Sequence, residues 1–142
     1  MHWTDELHAA VLSLADFINR SDVDARLLVE SGVTLDRALF PLLSRIGAAG
    51  EIGTVALSNL VGRDHSTVSR QVAKLEKIGL VCRVPCTKDA RIKHLTPTGK
   101  GNALLDKVRV VRRRIMENHF CGWRNHERDA LIRLLQKLVI EL

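Results

Sequence analysis

One stretch of the sequence, residues 54–100, limits what this chain can fold into more than any other. It begins with a short apolar helix pattern and a turn that contains Gly62, and it continues with a second helix pattern whose outer face carries Ser, Thr and Arg. A segment rich in β-forming residues and in Lys and Arg follows, and it can fold back on itself as a hairpin. Helix, turn, helix and hairpin in this order predict a winged helix-turn-helix, which docks one helix in the major groove of DNA.

Positive charge is concentrated in the same part of the chain. Residues 63–114 contain 14 Lys or Arg and 4 Asp or Glu, a net charge of +10, whereas the whole chain carries +6, so the remaining residues carry −4. Binding to DNA phosphates requires such a clustered cationic surface. The alternative is a surface that only keeps the protein soluble, but the coincidence with the helix-turn-helix pattern favours double-stranded DNA as the partner.

Length and composition describe a single folded domain over residues 1–142, which is long enough to bury a core unaided. The apolar runs are far shorter than the roughly 18 residues of a membrane-spanning helix. The acidic N-terminus lacks a signal-peptide pattern, so we expect a cytoplasmic protein without a membrane partner. The sequence contains no phosphate-binding loop and no metalloprotease or serine-hydrolase motif, which argues against an enzyme, and we expect no cofactor.

Helical periodicity and capping residues divide the chain into predicted elements. A first helix covers about residues 4–30, with Thr4 as N-cap and a weak point at residues 19–21. A second covers residues 35–49 after Thr34, unless Pro41 moves its start to near Phe40. The remaining predictions are an edge strand at 51–53, helices over 54–61 (capped by Thr54), 65–78 and about 124–142, strands over 80–85 and 91–95, and a helix from Thr96-Pro97 to about Phe120.

The helix over residues 65–78 is the predicted recognition helix. Val68, Val72 and Leu75 share one face, and Gly79 ends the helix. The opposite face is polar, and Arg70 projects from it. This side chain can make the two hydrogen bonds to a guanine edge that Arg commonly makes, but a phosphate contact or simple exposure to solvent remains open.

The helices at both ends of the chain carry more apolar surface than a small winged-helix core needs. The winged helix-turn-helix lobe covers about residues 34–101, and we interpret about 1–31 and 102–142 as dimerisation helices, because an exposed apolar patch of this size is typical of an association site. The alternative is that these stripes pack on the chain's own core. The predicted interface residues are Leu7, Leu14, Ile18, Leu131, Leu135, Leu138 and Leu142.

The cysteines allow a second hypothesis. Cys82 and Cys86 lie around the end of a predicted strand near basic residues that can lower a thiol pKa, so a redox switch is an alternative to a purely structural role. Cys121 lies near His119 and His126, but that spacing is not typical of a metal site. We therefore expect no metal.

Three segments together resemble one known family. They are STVSRQVAKLEKIGLV at residues 66–81, DAR at 89–91 and LTPTG at 95–99. In this combination, and with flanking helices of fitting order and length, the chain resembles the MarR family of winged helix-turn-helix transcription regulators. Members usually have a longer segment between the Asp-x-Arg and the Leu-Thr, so the second wing strand is expected to be shorter here.

The resemblance implies a homodimer that places its recognition helices in the major groove and its wings in the adjacent minor groove. It implies that Asp89 orients Arg91, the wing residue that enters the minor groove. From the helix pattern and the resemblance together, the expected DNA-binding residues are His65, Ser66, Thr67, Ser69, Arg70, Lys74, Lys88, Asp89 and Arg91.

These observations predict a sequence-specific transcriptional regulator, a homodimeric repressor that occupies a pseudo-palindromic operator. The resemblance implies that a small aromatic or phenolic effector releases it. The competing interpretations are a thiol-based redox-sensing regulator and a nonspecific architectural DNA-binding protein.

Overall fold

We describe the fold from a computed structural model, which covers residues 1–140 apart from the side chains of Ser21 and Asp22. The architecture is mainly helical with a two-stranded antiparallel sheet, which confirms the predicted fold class. None of the described helices is both long enough and apolar enough to cross a membrane. In chain order the elements are α1 (Trp3–Ile18), α2 (Ser21–Glu30), α3 (Phe40–Ala49), α4 (Thr54–Val61), α5 (His65–Lys77), β1 (Val81–Pro85), β2 (Lys93–Pro97), α6 (Gly99–His119) and α7 (Asn125–Ile140).

The main hydrophobic core lies where α3, α4 and α5 meet the sheet. Ile46 of α3, Leu57 of α4 and Leu95 of β2 are fully buried there. Burial of an aliphatic side chain of this size contributes about 1.5–3 kcal/mol, so this core holds the lobe together. The face of α5 that the sequence predicts to be buried is buried: Val68, Val72 and Leu75.

A second buried cluster joins α2 and α6 to this lobe. Its buried members are Leu27 and Leu28 of α2, Phe40 of α3, and Val108 and Val111 of α6. By contrast, α1 and α7 contain no buried residue in the described part of the chain. The outermost helices therefore contribute little to the core of a single copy.

The sheet forms the predicted hairpin, but its second strand begins later than expected. The predicted start at Arg91 is wrong, because Ile92 N–H donates to the Asp89 carbonyl at 3.0 Å and closes a turn before β2 begins. The register pairs Val81 with Pro97 and Pro85 with Lys93. The edge strand predicted at residues 51–53 is a single bridge between Ile52 and Leu95.

The start of α6 also differs from the prediction. Thr96 as N-cap and Pro97 as first helical residue are wrong, since Pro97 ends β2, where a proline at the end of a strand is tolerated. Thr98 is the N-cap instead, and its hydroxyl accepts the Gly101 N–H at 3.1 Å. The Thr98 N–H donates to the Leu80 carbonyl at 3.0 Å, so the hydrogen bonding between the two strands extends as far as the N-cap of α6.

Gly101 is required by this packing. A Cβ at this position would lie 2.1 Å from the Leu80 carbonyl oxygen, which is a backbone atom that cannot swing away. Gly79 meets a different need, because its φ of +82° favours glycine at the end of α5, as predicted. Both glycines therefore position the wing relative to its neighbouring helices.

The two N-terminal helices and α4 correct three predictions. The single helix over about residues 4–30 is wrong, because the chain is extended at Arg20 (φ −61°, ψ 118°), at the predicted weak point, and resumes as α2. The N-cap of α1 is His2 rather than Thr4, with Nδ1 accepting the Thr4 N–H at 3.3 Å. The N-cap of α4 is likewise Gly53 rather than Thr54.

The second predicted helix begins at Phe40, the alternative that Pro41 suggested. Thr34 is not an N-cap, because residues 36–39 form a turn in which the Leu39 N–H donates to the Asp36 carbonyl at 2.9 Å. Pro41 then lies in the first turn of α3, where its missing N–H has no helical partner to lose.

Candidate nucleic-acid interface

The N-terminus of α5 is held by its capping residue. The Asp64 carboxylate accepts the N–H of Ser66 at 3.2 Å and that of Thr67 at 3.4 Å, and the Ser66 hydroxyl also donates to it. These hydrogen bonds, the one from the hydroxyl foremost, hold the pKa of Asp64 below its usual range. The ionised carboxylate also suits the positive end of the helix dipole.

The outer face of α5 brings the predicted helix residues together. Ser66 and Arg70 lie on the exposed side opposite the buried residues, and they are flanked by the half-buried Thr67 and the exposed Lys74. The Arg70 Nη2 donates to the Thr67 hydroxyl at 3.3 Å, which directs the guanidinium along the exposed face. The predicted side chains at the margins are His65, exposed in the first turn, and Ser69, half-buried.

The wing tip presents a second arginine in a fixed orientation. Arg91 Nε donates to Asp89 Oδ1 and Arg91 Nη2 donates to Asp89 Oδ2, both at 3.1 Å, while the Arg91 N–H donates to Oδ1. The Arg91 side chain is nevertheless 91% exposed, and the neighbouring Lys88 is exposed as well. The hydrogen bonds from Arg91 lower the pKa of Asp89, and the carboxylate in turn raises the pKa of Arg91.

Contacts between α5 and its neighbours were missed by sequence reasoning. The Arg83 Nε of β1 donates to Glu76 Oε1 of α5 at 3.1 Å, which joins the wing to the helix. Arg63 donates to the Ala38 carbonyl at 2.7 Å and to Gln71 Oε1 at 3.0 Å, which joins the turn before α5 to the turn before α3. Opposite charges on either side of the Gly79 turn were the available signal for the first pair.

The comparisons with known proteins identify the relatives of this chain. Residues 35–93 match the MarR family model. The uncharacterized HTH-type transcriptional regulator YxaD of Bacillus subtilis (strain 168) is 30% identical over 104 residues, which cover 73% of each chain. The similarly named YybA of the same organism is 27% identical over 104 residues, 73% of this chain and 69% of YybA. The chain belongs to the MarR family.

Solved structures share the MarR fold along nearly the whole chain. A MarR family protein from Bacillus stearothermophilus has a TM-score of 0.77 at 23% identity, covering 99% of this chain and 97% of its own. The transcriptional regulator BldR from Sulfolobus solfataricus has a TM-score of 0.74 at 25% identity, covering all of both chains. Because it belongs to the MarR family, whose members are transcriptional regulators and not enzymes, the chain is a DNA-binding transcriptional regulator.

The cysteines of this MarR-family chain are free thiols in three different environments. Cys82 is half-buried in β1, Cys86 is 8% exposed, and Cys121 is exposed. Oxidants reach exposed thiolates most readily, so the burial of Cys86 weighs against a direct role in redox sensing. Within residues 1–140, Cys121 does not gather with His119 and His126 as a metal-ligand group.

The predicted interface residues of the terminal helices lie largely on exposed faces. Those on α1 are exposed, and Leu131 of α7 is half-buried. Leu142 lies outside the described residues. The exposed members of the set are Leu7, Leu14, Ile18, Leu135 and Leu138.

A cleft of about 690 Å³ opens between the α1–α2 connection, the start of α3 and the end of α4. Apolar and basic side chains share its wall. Burial raises the pKa of Asp24 at its edge, and the nearby Arg37 partly offsets this rise. Representative lining residues are Ile18, Arg20, Arg37, Phe40, Arg45 and Leu60.

Proposed function

We propose that this MarR-family regulator is a cytoplasmic homodimeric repressor, which occupies a pseudo-palindromic operator and leaves it when a small-molecule effector binds. The DNA-binding mode rests on one observation. Helix α5 and the wing pack on one shared core, and each presents an exposed arginine that a hydrogen bond to a neighbouring side chain orients. Basic side chains that are held in place lose less conformational freedom when DNA binds.

The recognition helix, α5, would enter the major groove. In this proposal Arg70 would contact a base edge. Phosphates or bases alongside it would be contacted by Ser66, Thr67, Ser69 and Lys74. Arg91 would enter the adjacent minor groove with Lys88 near the backbone, because a narrow minor groove attracts arginine. His65, at the start of the helix, completes the proposed set with Asp89, which orients Arg91.

The dimer would be built from α1 and α7. The rest of the described chain leaves their apolar faces uncovered. Burial of large side chains such as Leu7, Leu14 and Leu138 in an interface would contribute favourable free energy. A contiguous apolar surface of this kind is typical of an association site, and most homo-oligomers are twofold symmetric. Two symmetric recognition helices then require half-sites about one helical turn apart.

The cleft supports a site for the effector. Phe40 and Leu60 can pack against an aromatic ring, and Arg20 and Arg37 can attract a phenolate or carboxylate. Because the cleft lies between the α1–α2 connection and the DNA-binding lobe, a ligand there can favour one separation of the recognition helices. Release requires that the effector bind this separation more tightly than the DNA-bound one.

Selection of bound fragments from genomic DNA, followed by footprinting, tests this function. We expect protection of two symmetric half-sites, and release by an aromatic or phenolic acid that Arg37→Ala makes ineffective. A uniform ladder of shifted bands without a preferred fragment would favour the architectural interpretation. Release by peroxide that depends on Cys82 or Cys86 would favour the redox regulator.

A further inference from the structure

Three residues that are distant in the sequence meet at the base of the wing. Glu51 lies in the loop between α3 and α4, Cys86 directly follows β1, and His94 lies in β2. One carboxylate oxygen, the thiol sulfur and one ring nitrogen all lie within 4.8 Å of one another. Among residues 1–140, no other group of three His, Cys, Asp or Glu side chains is gathered in this way.

The backbone around this cluster is already hydrogen-bonded. Ile52, next to Glu51, exchanges two hydrogen bonds with Leu95, next to His94, at 3.0 and 2.7 Å. The Cys86 N–H donates to the Ile92 carbonyl at 2.7 Å. The three side chains are therefore carried by a framework that does not have to form when a ligand arrives.

The side chains combine burial with access from solvent. Glu51 Oε1 lies 3.0 Å from His94 Nδ1 and accepts the Thr87 N–H at 3.1 Å. Cys86 is buried, whereas the side chains of Glu51 and His94 are each 25% exposed. An ion can therefore reach the group from the side of the carboxylate and the imidazole, with the sulfur at its inner end.

We propose that Glu51, Cys86 and His94 bind a divalent transition-metal ion, and that Zn²⁺ suits this set of donors. Thiolate, imidazole and carboxylate are the ligands that Zn²⁺ uses in proteins, whereas Mg²⁺ and Ca²⁺ require oxygen. With Zn–S of about 2.3 Å and Zn–N or Zn–O of about 2.0–2.2 Å, the ligand atoms of a tetrahedral ion lie about 3.4–3.6 Å apart. Side-chain movements of about one ångström bring the present group to this spacing. They include a slight separation of Glu51 Oε1 from His94 Nδ1, which lie 3.0 Å apart.

Three protein ligands leave one coordination position for water or another small ligand. The bound ion would connect β2 and the residue after β1 to the α3–α4 loop, and so fasten the wing to the helical part of the lobe. Because only the folded chain brings these ligands together, metal binding should also raise the melting temperature of the protein.

Titration with Co²⁺, which replaces Zn²⁺ in such sites and absorbs light, provides the test. The parent protein carries Cys82→Ser and Cys121→Ser, so that Cys86 is its only thiol. We expect one Co²⁺ per chain, a thiolate-to-cobalt charge-transfer band, and loss of that band on addition of Zn²⁺. Cys86→Ser should abolish the band, and Glu51→Gln and His94→Asn should each weaken Co²⁺ binding at least about tenfold.

The controls separate loss of a ligand from loss of the fold. Glu51→Gln keeps an oxygen that accepts the Thr87 N–H, and His126→Asn in α7 should leave the titration unchanged. If Cys86→Ser does not fold, the Glu51 and His94 variants decide the outcome. The proposal is overturned if the parent shows no thiolate band, if the band survives Cys86→Ser, or if both folded Glu51 and His94 variants bind Co²⁺ as the parent does.

Discussion

Arg70 and Arg91 carry the same charge but are held in different ways. Arg70 has one hydrogen bond to a neutral hydroxyl, which a base edge can replace at little cost. Arg91 is joined to Asp89 by two parallel hydrogen bonds, the strong arrangement for a guanidinium and a carboxylate. We therefore expect the two arginines to contribute differently to specificity and affinity.

Replacing each arginine with alanine distinguishes these contributions. Arg70→Ala should cost about 1–3 kcal/mol of binding free energy on the operator and relax specificity at one position in each half-site, because it would remove the proposed base contact. Arg91→Ala should weaken binding to operator and random DNA alike, since the minor groove distinguishes base pairs poorly. Affinities for operator and scrambled duplexes over a salt series measure both effects.

Arg133→Ala on α7 is the matched control, because it removes the same charge outside the proposed DNA surface. It should leave both affinities nearly unchanged. If Arg70→Ala and Arg91→Ala also leave both unchanged, the assignment of the DNA-binding face is wrong.

For Asp89, the direction in which a substitution changes the affinity for DNA tests whether this carboxylate orients Arg91. Asp89→Asn removes a negative charge near DNA, which by itself should strengthen binding, yet it also frees Arg91. We expect the second effect to dominate and operator affinity to fall about two- to tenfold, the cost of ordering one flexible side chain. Asp106→Asn on α6, with the same change in charge, should not lower the affinity in the same assay. A stronger complex with Asp89→Asn would show that orientation of Arg91 is unimportant.

The pKa of Asp89 is lowered and that of Arg91 is raised, so both groups of the pair stay charged at neutral pH. The pKa of Asp89 is lowered in the folded protein, so its contribution to stability is complete above the unfolded carboxyl pKa of about 3.9. That contribution is lost as the pH falls through the lower folded pKa. The Asp89–Arg91 pair is therefore intact at neutral pH, where DNA binding is measured.

At the scale of elements, the close contact between Gly101 of α6 and Leu80, the residue before β1, positions the wing relative to α6. Gly101→Ala should destabilise the protein by about 1–3 kcal/mol or more, because the new methyl group meets the Leu80 carbonyl. Gly99→Ala, two residues earlier, has nothing within 4 Å of the added carbon and should be neutral or stabilising by up to about 1 kcal/mol.

Urea unfolding of the two glycine variants, compared with the wild type at equal slope, measures this difference. Equal midpoints for Gly101→Ala and Gly99→Ala would mean that α6 moves away from Leu80 at no cost. The close approach at the start of α6 would then not be what positions the wing.

At the scale of the whole molecule, the terminal helices should determine the oligomeric state. Leu135→Asp combined with Leu138→Asp places two charges on the exposed apolar face of α7, so we expect a monomer that binds the operator weakly. Light scattering gives the mass, and circular dichroism shows whether the helices remain. Val55→Asp, at an exposed apolar residue of α4, should remain a dimer. A folded double variant that is still a dimer would contradict the proposed interface.

Prediction from sequence succeeded where the signals act over a few residues. The periodicity of Val68, Val72 and Leu75 and the glycine after α5 place that helix correctly, because burial pattern and end signal are both local. It failed where two local signals compete. Thr96-Pro97 is a good helix start in isolation, but pairing of Pro97 with Val81 keeps it in the sheet and leaves Thr98 as the cap.

The sequence by itself determined the order of helices and strands from α4 onward, the inward face of α5 and the family to which the chain belongs, since these depend on neighbours along the chain. Only the tertiary structure decided which distant side chains meet. The pairing of Arg83 with Glu76 follows from how the wing returns beside α5. The meeting of Glu51 with Cys86 and His94 follows from the bridge between Ile52 and Leu95. Opposite charges around Gly79 hint at the first contact, but no spacing in the sequence encodes the second, because only folding brings Glu51, Cys86 and His94 within a few ångströms of one another.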